Sequence, residues 1–473
     1  MIMKEYIVPK KIIAKKLSVR AEENLFNNTE LQISTDETQV TVFENEGYVL
    51  LDFGLEISGG IHILTHSIDG GNCQVRVRFG ESAAEAMAPI GYKNNVNAHT
   101  IKEFILDLPE YADIPCGETG FRFVYIEVCE HKQIRIKGIY AENTIYHAPT
   151  VWEYSGEDEK IRQIFEVAKR TIDLCVQNGY IYDGIKRDRL VWIGDIYAEI
   201  MALITLYGDV ECIPNSLNFV RNKTPLSGWM NRIPSYSVWW IIVIADYYSL
   251  TKNEAFLIEQ KEYFFALINQ IDGYIAEDGK LLFEDKFIDL NIFKKPSEDA
   301  AVRALLLVAC KKAKVLYEQF GEKDFVVLNI ERKLRKIPVE CFNCKTVAAL
   351  KFWAEGTLSE EDKKVLLQNG NQGVSTFMSY FIFDAIGMLY GKEIALDCIK
   401  EYFGGMLEIG ATTFWENYDL EWTKNSIKID ELPTVKKKDF HGDYGIACYT
   451  GYRMSLCHGW SSGIIKLIKK FTE

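Results

Sequence analysis

Long apolar runs are missing from this 473-residue chain. The greasiest stretch, Val238 to Ala245, falls well short of the roughly 18 consecutive apolar residues that a membrane-spanning helix needs. A secretory leader is missing too, because Pro9 and several lysines interrupt MIMKEYIVPKKIIAKK where a continuous apolar core would be required. An excess of positive charge is also absent. Acidic residues number 67 against 54 basic ones, and the net charge of −13 argues against nucleic acid or an anionic membrane as a partner. The one basic run, Lys436-Lys437-Lys438, sits in a Pro-containing loop and reads as solvated. Eleven cysteines, an odd number without framework spacing, fit a reduced cytoplasm better than an exported disulfide protein. Cys341-Phe-Asn-Cys344 is a lone CxxC with no second pair and no nearby His, so neither a metal site nor a cofactor is expected.

What the chain does have is aromatic residues, 13% of the total, which suits either large cores or a sugar-binding surface. Its 48% hydrophobic and 26% charged residues are those of a globular protein, long enough for two or three domains.

The hydrophobic period divides the chain. From about residue 31 to 147, Gln39-Val-Thr-Val42, Gln74-Val-Arg-Val-Arg-Phe79 and Gly120 to Val128 alternate polar with apolar or β-branched residues, and glycines separate them. This predicts an antiparallel β-sandwich over residues 1–150. After His147-Ala148-Pro149-Thr150 the period becomes 3.6. Ser155-Gly-Glu-Asp158 and Ser359-Glu-Glu-Asp362 read as capping boxes, and about twelve helical segments follow with mostly short connections. The segment SVWWIIVIADYY is apolar almost all round, as an inner helix shielded by an outer ring must be. Paired helices of this kind over residues 151–473 suit an (α/α)6 barrel, although periodicity alone leaves other all-α arrangements open. Two long non-helical stretches, Gly273 to Pro296 and Gly405 to Trp460, are expected to carry function.

The stretch Asp183 to Asp195, DGIKRDRLVWIGD, holds three aspartates, three cations and Trp192. Carboxylates bind hydroxyls and move protons, and an aromatic face covers the C–H surface of a sugar. The plainer reading is a surface turn in which Asp195 merely caps the helix starting at Ile196.

DGIKRDRLVWIGD resembles the catalytic signature of the bacterial α-L-rhamnosidases, glycoside hydrolase family 78. GATTFWENYD (Gly410 to Asp419) and CHGWSSG (Cys457 to Gly463) match in the same order, and LLDFGLEISGG and GETGFRFVYIEV resemble the β-sandwich preceding that catalytic domain. The resemblance implies an inverting glycosidase acting on a small-molecule or oligosaccharide glycoside. Asp188 stands at the position of the general acid and Glu416 at that of the base. Asp183, Arg187 and Asp195 match residues that hold the sugar hydroxyls. Trp192 and one of Trp239 and Trp240, here taken as Trp240, match aromatics lining the sugar subsite, and His458 matches a His at the sugar. An acid must stay protonated near neutral pH, which carboxylate neighbours favour and guanidiniums oppose, so the directions of Arg187 and Arg189 matter. The chain departs from the pattern in its shorter acid (Asp for the usual Glu), in Val191 where Gly often precedes the Trp, and in Leu290 where a Trp usually covers the sugar. It also lacks the C-terminal β-domain common in the family, and a homo-oligomer is expected to cover the bare surface. A hydrolase for another deoxy-sugar or uronic-acid glycan, or a carbohydrate-binding relative without turnover, are the competing readings.

Overall fold

The structure, a computed structural model, describes residues 1–27, 38–292 and 295–473. The start of the strand-like region, residues 31–37, and residues 293–294 in the first long loop lie outside the described residues.

The N-terminal part is one antiparallel sheet. Its strands are β1 (Ile2–Ile7), β2 (Lys11–Lys15), β3 (Val19–Arg20), β4 (Thr41–Glu44), β5 (Tyr48–Ile68), β6 (Asn72–Gly80), β7 (Glu103–Pro109), β8 (Asp113–Val128) and β9 (Gln133–Tyr146). They run in the order β3-β4-β9-β5-β8-β6-β7, with β1 on β9 and β2 on β5. The alternation read from the sequence is realised in β6, where Val75, Val77 and Phe79 are buried. Arg76 and Arg78 point to the other face, onto Glu127 and Glu103. Phe43 and Ile134 from one end of the strand order share a core with Val75 and Val77 from the other, so the sheet folds over on itself as a sandwich. The 21-residue β5 bends to allow this, its register shifting between Asp52 and Ile57 and between Gly59 and Ile61. Gly60 is needed at the second bend: a Cβ there would lie 2.2 Å from the Gly117 carbonyl oxygen.

One short helix, α1 (Ala83–Met87), hangs from this sheet. The helical part begins with α2 (Glu159–Cys175). Its cap is Asp158, whose carboxylate accepts from the backbone N–H of Lys160 and Ile161, and not Ser155 as the capping-box pattern suggested. An ionised carboxylate at that position satisfies two orphan donors and also meets the helix dipole. Ser359 does cap its helix, accepting from Asp362 N–H.

Six helices close a ring by successive contacts. These are α3 (Ile196–Tyr207), α5 (Pro234–Thr251), α7 (Lys295–Gln319), α9 (Lys345–Glu355), α11 (Ser379–Tyr390) and α13 (Ile464–Thr472), which returns to α3. Of the helices between them in sequence, α2, α6 (Glu254–Gly273), α8 (Phe325–Leu334), α10 (Glu360–Leu367) and α12 (Lys392–Glu408) pack against that ring, and α4 (Cys212–Lys223) joins the same core through Ile213, Leu217 and Val220. The result is an (α/α)6 barrel. The apolar SVWWIIVIADYY segment lies on inner helix α5, buried from Pro234 to Ala245. All eleven cysteines are free thiols. Among the described residues no helix is long and apolar enough to cross a membrane.

Candidate active site

Backbone hydrogen bonds sew the three sequence motifs together. Gly184 and His458 form an antiparallel bridge, and Gly459 N–H donates to the Asp183 carbonyl at 2.8 Å. His458 N–H donates to Phe414 O at 2.9 Å, and Glu416 N–H donates to Ser455 O at 3.0 Å. Strings separated by more than two hundred residues thus become neighbours at one end of the inner helices.

They enclose a cavity of about 260 Å³. Asp183, Asp188, Trp192, Asp195, Glu416 and His458, all anticipated from the sequence, line it. So do Ile233, Tyr236, Asp285, Phe287, Leu290, Cys448, Tyr449 and Trp460. Of these additions Trp460 lies inside the CHGWSSG string, and its indole N–H donates to Glu416 O at 3.1 Å. Tyr236 had a weaker signal, its place in the first turn of α5, where an inner helix reaches the mouth of the barrel. Tyr449 sits in a two-residue strand, Tyr449–Thr450, paired with Gly445–Ile446, and Asp285 in an irregular loop; no local pattern marks either.

Trp240 is not at the site. It is fully buried and packs edge-on against Tyr263, while Trp239 joins a cluster with Tyr197, Trp353 and Phe381. The pair lies about one turn below Tyr236, so the α5 residue that reaches the cavity comes from the turn above.

Arg187 is also placed otherwise than expected, behind the cavity wall. Its Nε donates to Arg453 O at 2.8 Å, one terminal nitrogen meets Asp188 Oδ2 at 2.6 Å, and the other pairs with Glu416 Oε1. Tyr449 covers its face, 4.1 Å from Cζ to the ring centre. Each of its three nitrogens donates to a protein acceptor, so it holds the two carboxylates from behind and does not line the cavity. Arg189 points away, onto exposed Glu118 at 2.8 Å. Asp188 and Arg189 both adopt left-handed backbone, φ 55° and 54°, a conformation that costs non-glycine residues energy and clusters at functional sites. That turn is what sends the two successive side chains in different directions.

Asp195 occupies the position before α3 but caps nothing. Its Oδ1 accepts from the Tyr236 hydroxyl at 2.6 Å. Burial pushes its carboxyl up to about 7, the Tyr236 hydrogen bond opposing and the Glu416 and Asp188 charges adding. Desolvation likewise raises Asp183 and Glu199 far above the carboxylate range and holds His458 neutral. His458 Nε2 stands 3.9 Å from both Asp183 Oδ2 and Glu416 Oε1, with its ring against Trp460.

Two consequences can be measured. A Cβ at Gly194 would lie 2.3 Å from the Tyr236 ring, which must then move and take its hydrogen bond from Asp195. Gly194→Ala is therefore expected to raise KM about tenfold, the scale of one lost charge-assisted hydrogen bond, although the methyl never touches substrate. Steady-state kinetics beside wild type checks this. For Asp195 the folded group binds its proton more tightly than the unfolded one, whose ordinary value is 3.8. Its contribution to stability is full below that value and is lost as pH rises through about 7. Wild type should lose thermal stability between about pH 4 and pH 7 by more than Asp195→Asn does, since proton binding that is tenfold tighter in the folded protein corresponds to about 1.4 kcal/mol. Asp183 and Glu199 carry the same sign, so the slope shrinks in the variant without vanishing.

Glu81, Glu85 and His441 form the one grouping among the described residues with metal-ligand spacing. Lys186 and Lys102 already supply its positive charge, so it reads as an ion-pair cluster.

Solved structures share this architecture. A rhamnosidase from Klebsiella oxytoca with rhamnose bound matches with a TM-score of 0.79 at 17% identity, over 100% of this chain and 96% of that one. A GH78 family rhamnosidase of Bacillus sp. GL1 matches at 0.71 and 17% identity, over 95% of this chain and 48% of that one. For the Streptomyces avermitilis α-L-rhamnosidase complexed with L-rhamnose the values are 0.66 and 11%, over 98% and 43%. The chain thus spans nearly the whole of the first and less than half of the other two. No protein-family model matches the sequence, and no curated protein does. At such identities the likeness is one of fold, and the fold of this chain is that of the α-L-rhamnosidases of glycoside hydrolase family 78.

Proposed function

We propose that this chain is a cytoplasmic glycoside hydrolase that cleaves terminal non-reducing α-L-rhamnosides with inversion. The β-sandwich of residues 1–150 supports a catalytic domain of residues 151–473. The observation that carries the reading is the meeting of Asp188 and Glu416 on one guanidinium at the wall of a cavity of about 260 Å³. That volume is small for a ligand pocket and suits a single sugar ring. In this reading Asp188 protonates the departing oxygen, and Glu416 removes a proton from the water that attacks the opposite face. Asp183 and Asp195 accept hydroxyls, and His458, neutral, offers a donor or acceptor beside them.

The lining also favours a neutral deoxy-sugar over a uronic acid. It holds five carboxyls and no lysine or arginine among the described residues, so a sugar carboxylate would find no cationic partner in the lining. Ile233, Phe287 and Leu290 offer an apolar wall for a C6 methyl group. A second cavity, of about 770 Å³, shares Asp285, Phe287, Leu290 and Cys448 with the first and gives the leaving group room. One observation favours a variant of this mechanism: Asp195, pushed up to about 7, is a carboxyl that carries a proton near neutrality and is a second candidate for the acid.

Hydrolysis of chromogenic α-L-rhamnoside, with α-L-fucoside and uronide as controls, tests the reading. Turnover of the rhamnoside alone is the expected result, with a first-formed product of inverted configuration by proton NMR. Binding of rhamnose without turnover of any glycoside would instead make the protein a carbohydrate-binding relative.

A further inference from the structure

We infer that the β-sandwich contributes a positioning residue to the catalytic apparatus: Glu81 sets the candidate base Glu416 through the backbone of Ser455 and Leu456. The inference rests on the reading of Glu416 as the base.

Glu81 follows the end of β6, is fully buried, and spends both oxygens on the far domain. Oε1 accepts from the Ser455 hydroxyl at 3.0 Å and Oε2 from Leu456 N–H at 2.6 Å. The Ser455 N–H, held between those two contacts, donates to Glu416 Oε2 at 3.0 Å. The other oxygen of Glu416 is held by Arg187, and the residue before it, Lys186, returns to the same place. Lys186 Nζ meets Glu81 at 3.3 Å and Glu85 at 2.8 Å, and donates to the carbonyls of Tyr452 and Met454 at 2.6 and 2.8 Å. The Ser455 hold on Glu416 therefore traces back to one buried acid, Glu81, carried by the β-sandwich.

Cohesion between domains does not require such a cluster. Burying two carboxylates and two ammoniums costs several kcal/mol per ion before pairing returns it, and apolar residues would join the surfaces as well. What charged, fully hydrogen-bonded groups add is a fixed position. A base that must face one water tolerates only about 0.5 Å of error, and a displacement of about 1 Å can cost a hundredfold in rate.

Glu81→Gln keeps the shape but presents an amide N–H₂ to one of two donors and leaves Lys186 short of a partner. Expected is a fall in kcat of about tenfold to a hundredfold with KM within about threefold of wild type. The fall should be equal for activated and unactivated leaving groups, the pattern of a disturbed base. Glu85→Gln is the control for stability, because it removes an acid from the same cluster without touching Ser455 or Leu456. It should lower Tm by a similar amount but kcat by much less, both variants being assayed below their melting transitions. If Glu81→Gln does not fold, Ser455→Ala removes the hydroxyl contact with Glu81, together with the hydroxyl's two bonds to the Cys457 backbone, keeps Leu456 N–H on Glu81, and should show a smaller fall of the same pattern.

A wild-type kcat in Glu81→Gln, beside a Glu416→Gln variant that is inactive, would overturn this inference and leave the proposed function standing. So would a loss confined to poor leaving groups or to KM, or equal kcat losses in the Glu81 and Glu85 variants. An active Glu416→Gln would remove the base assignment itself and this inference with it.

Discussion

Glu416→Gln is expected to lower kcat by about a thousandfold, within the roughly 10²- to 10⁴-fold that a positioned general base contributes. The carboxylate is buried, with Arg187 on one oxygen and Ser455 N–H on the other, so its geometry is fixed before substrate arrives. The amide keeps the shape of the side chain and loses its ability to take a proton. Since water attacks whatever group departs, activated aryl and unactivated alkyl rhamnosides should slow alike, while KM changes little. Azide should restore part of the rate if the open face admits a small nucleophile in place of the water. A binding protein without turnover would behave differently, losing no activity and keeping its affinity for rhamnose. Steady-state kinetics on the two substrate types, with rhamnose binding by calorimetry, separates these outcomes.

Asp188→Asn carries the second large effect and splits the substrates. Protonation of the leaving oxygen matters when that oxygen is basic and hardly matters for a nitrophenolate. The expected loss is about a hundredfold or more on an alkyl or sugar aglycone and under about tenfold on the activated aryl glycoside. Asn can still accept from Arg187 through its amide oxygen, so the link to Glu416 need not collapse with the substitution. An equal loss on both substrates would take the acid role from Asp188. It would then pass to Asp195, whose carboxyl burial pushes up to about 7 and whose own Asn variant should then show the split instead.

The organisation of the chain was legible in periodicity. The change from period two to 3.6 corresponds to the interval between the end of β9 at Tyr146 and the start of α2 at Glu159. The all-apolar SVWWIIVIADYY segment is an inner helix because only a position shielded on every side suits such a surface. Helix caps were less legible. Ser155 and Asp158 both belong to a capping-box string, and the choice between them depends on where the chain enters the helix, which the string does not record. The cavity residues in the three strings were legible through resemblance. Tyr449 and Asp285 were not, because a two-residue hairpin strand and an irregular loop both take their course from what they pack against.

By itself the sequence determined the two classes of structure, the order of their elements and the residue types able to do carbohydrate chemistry. Those properties follow from local pattern, since side-chain period and composition act within a few residues. Tertiary structure alone decided where each charge points. It turned Arg187 onto both carboxylates and Arg189 out to Glu118, where the sequence offered two equivalent flanking cations. It carried Trp240 into the packing behind α5 and brought Tyr236 to the cavity, because rotation of a helix about its axis is set by its neighbours. It also joined Glu81 to Ser455 across 374 positions of chain. Electrostatic effects depend on distance and burial in space, and neither can be read along the chain.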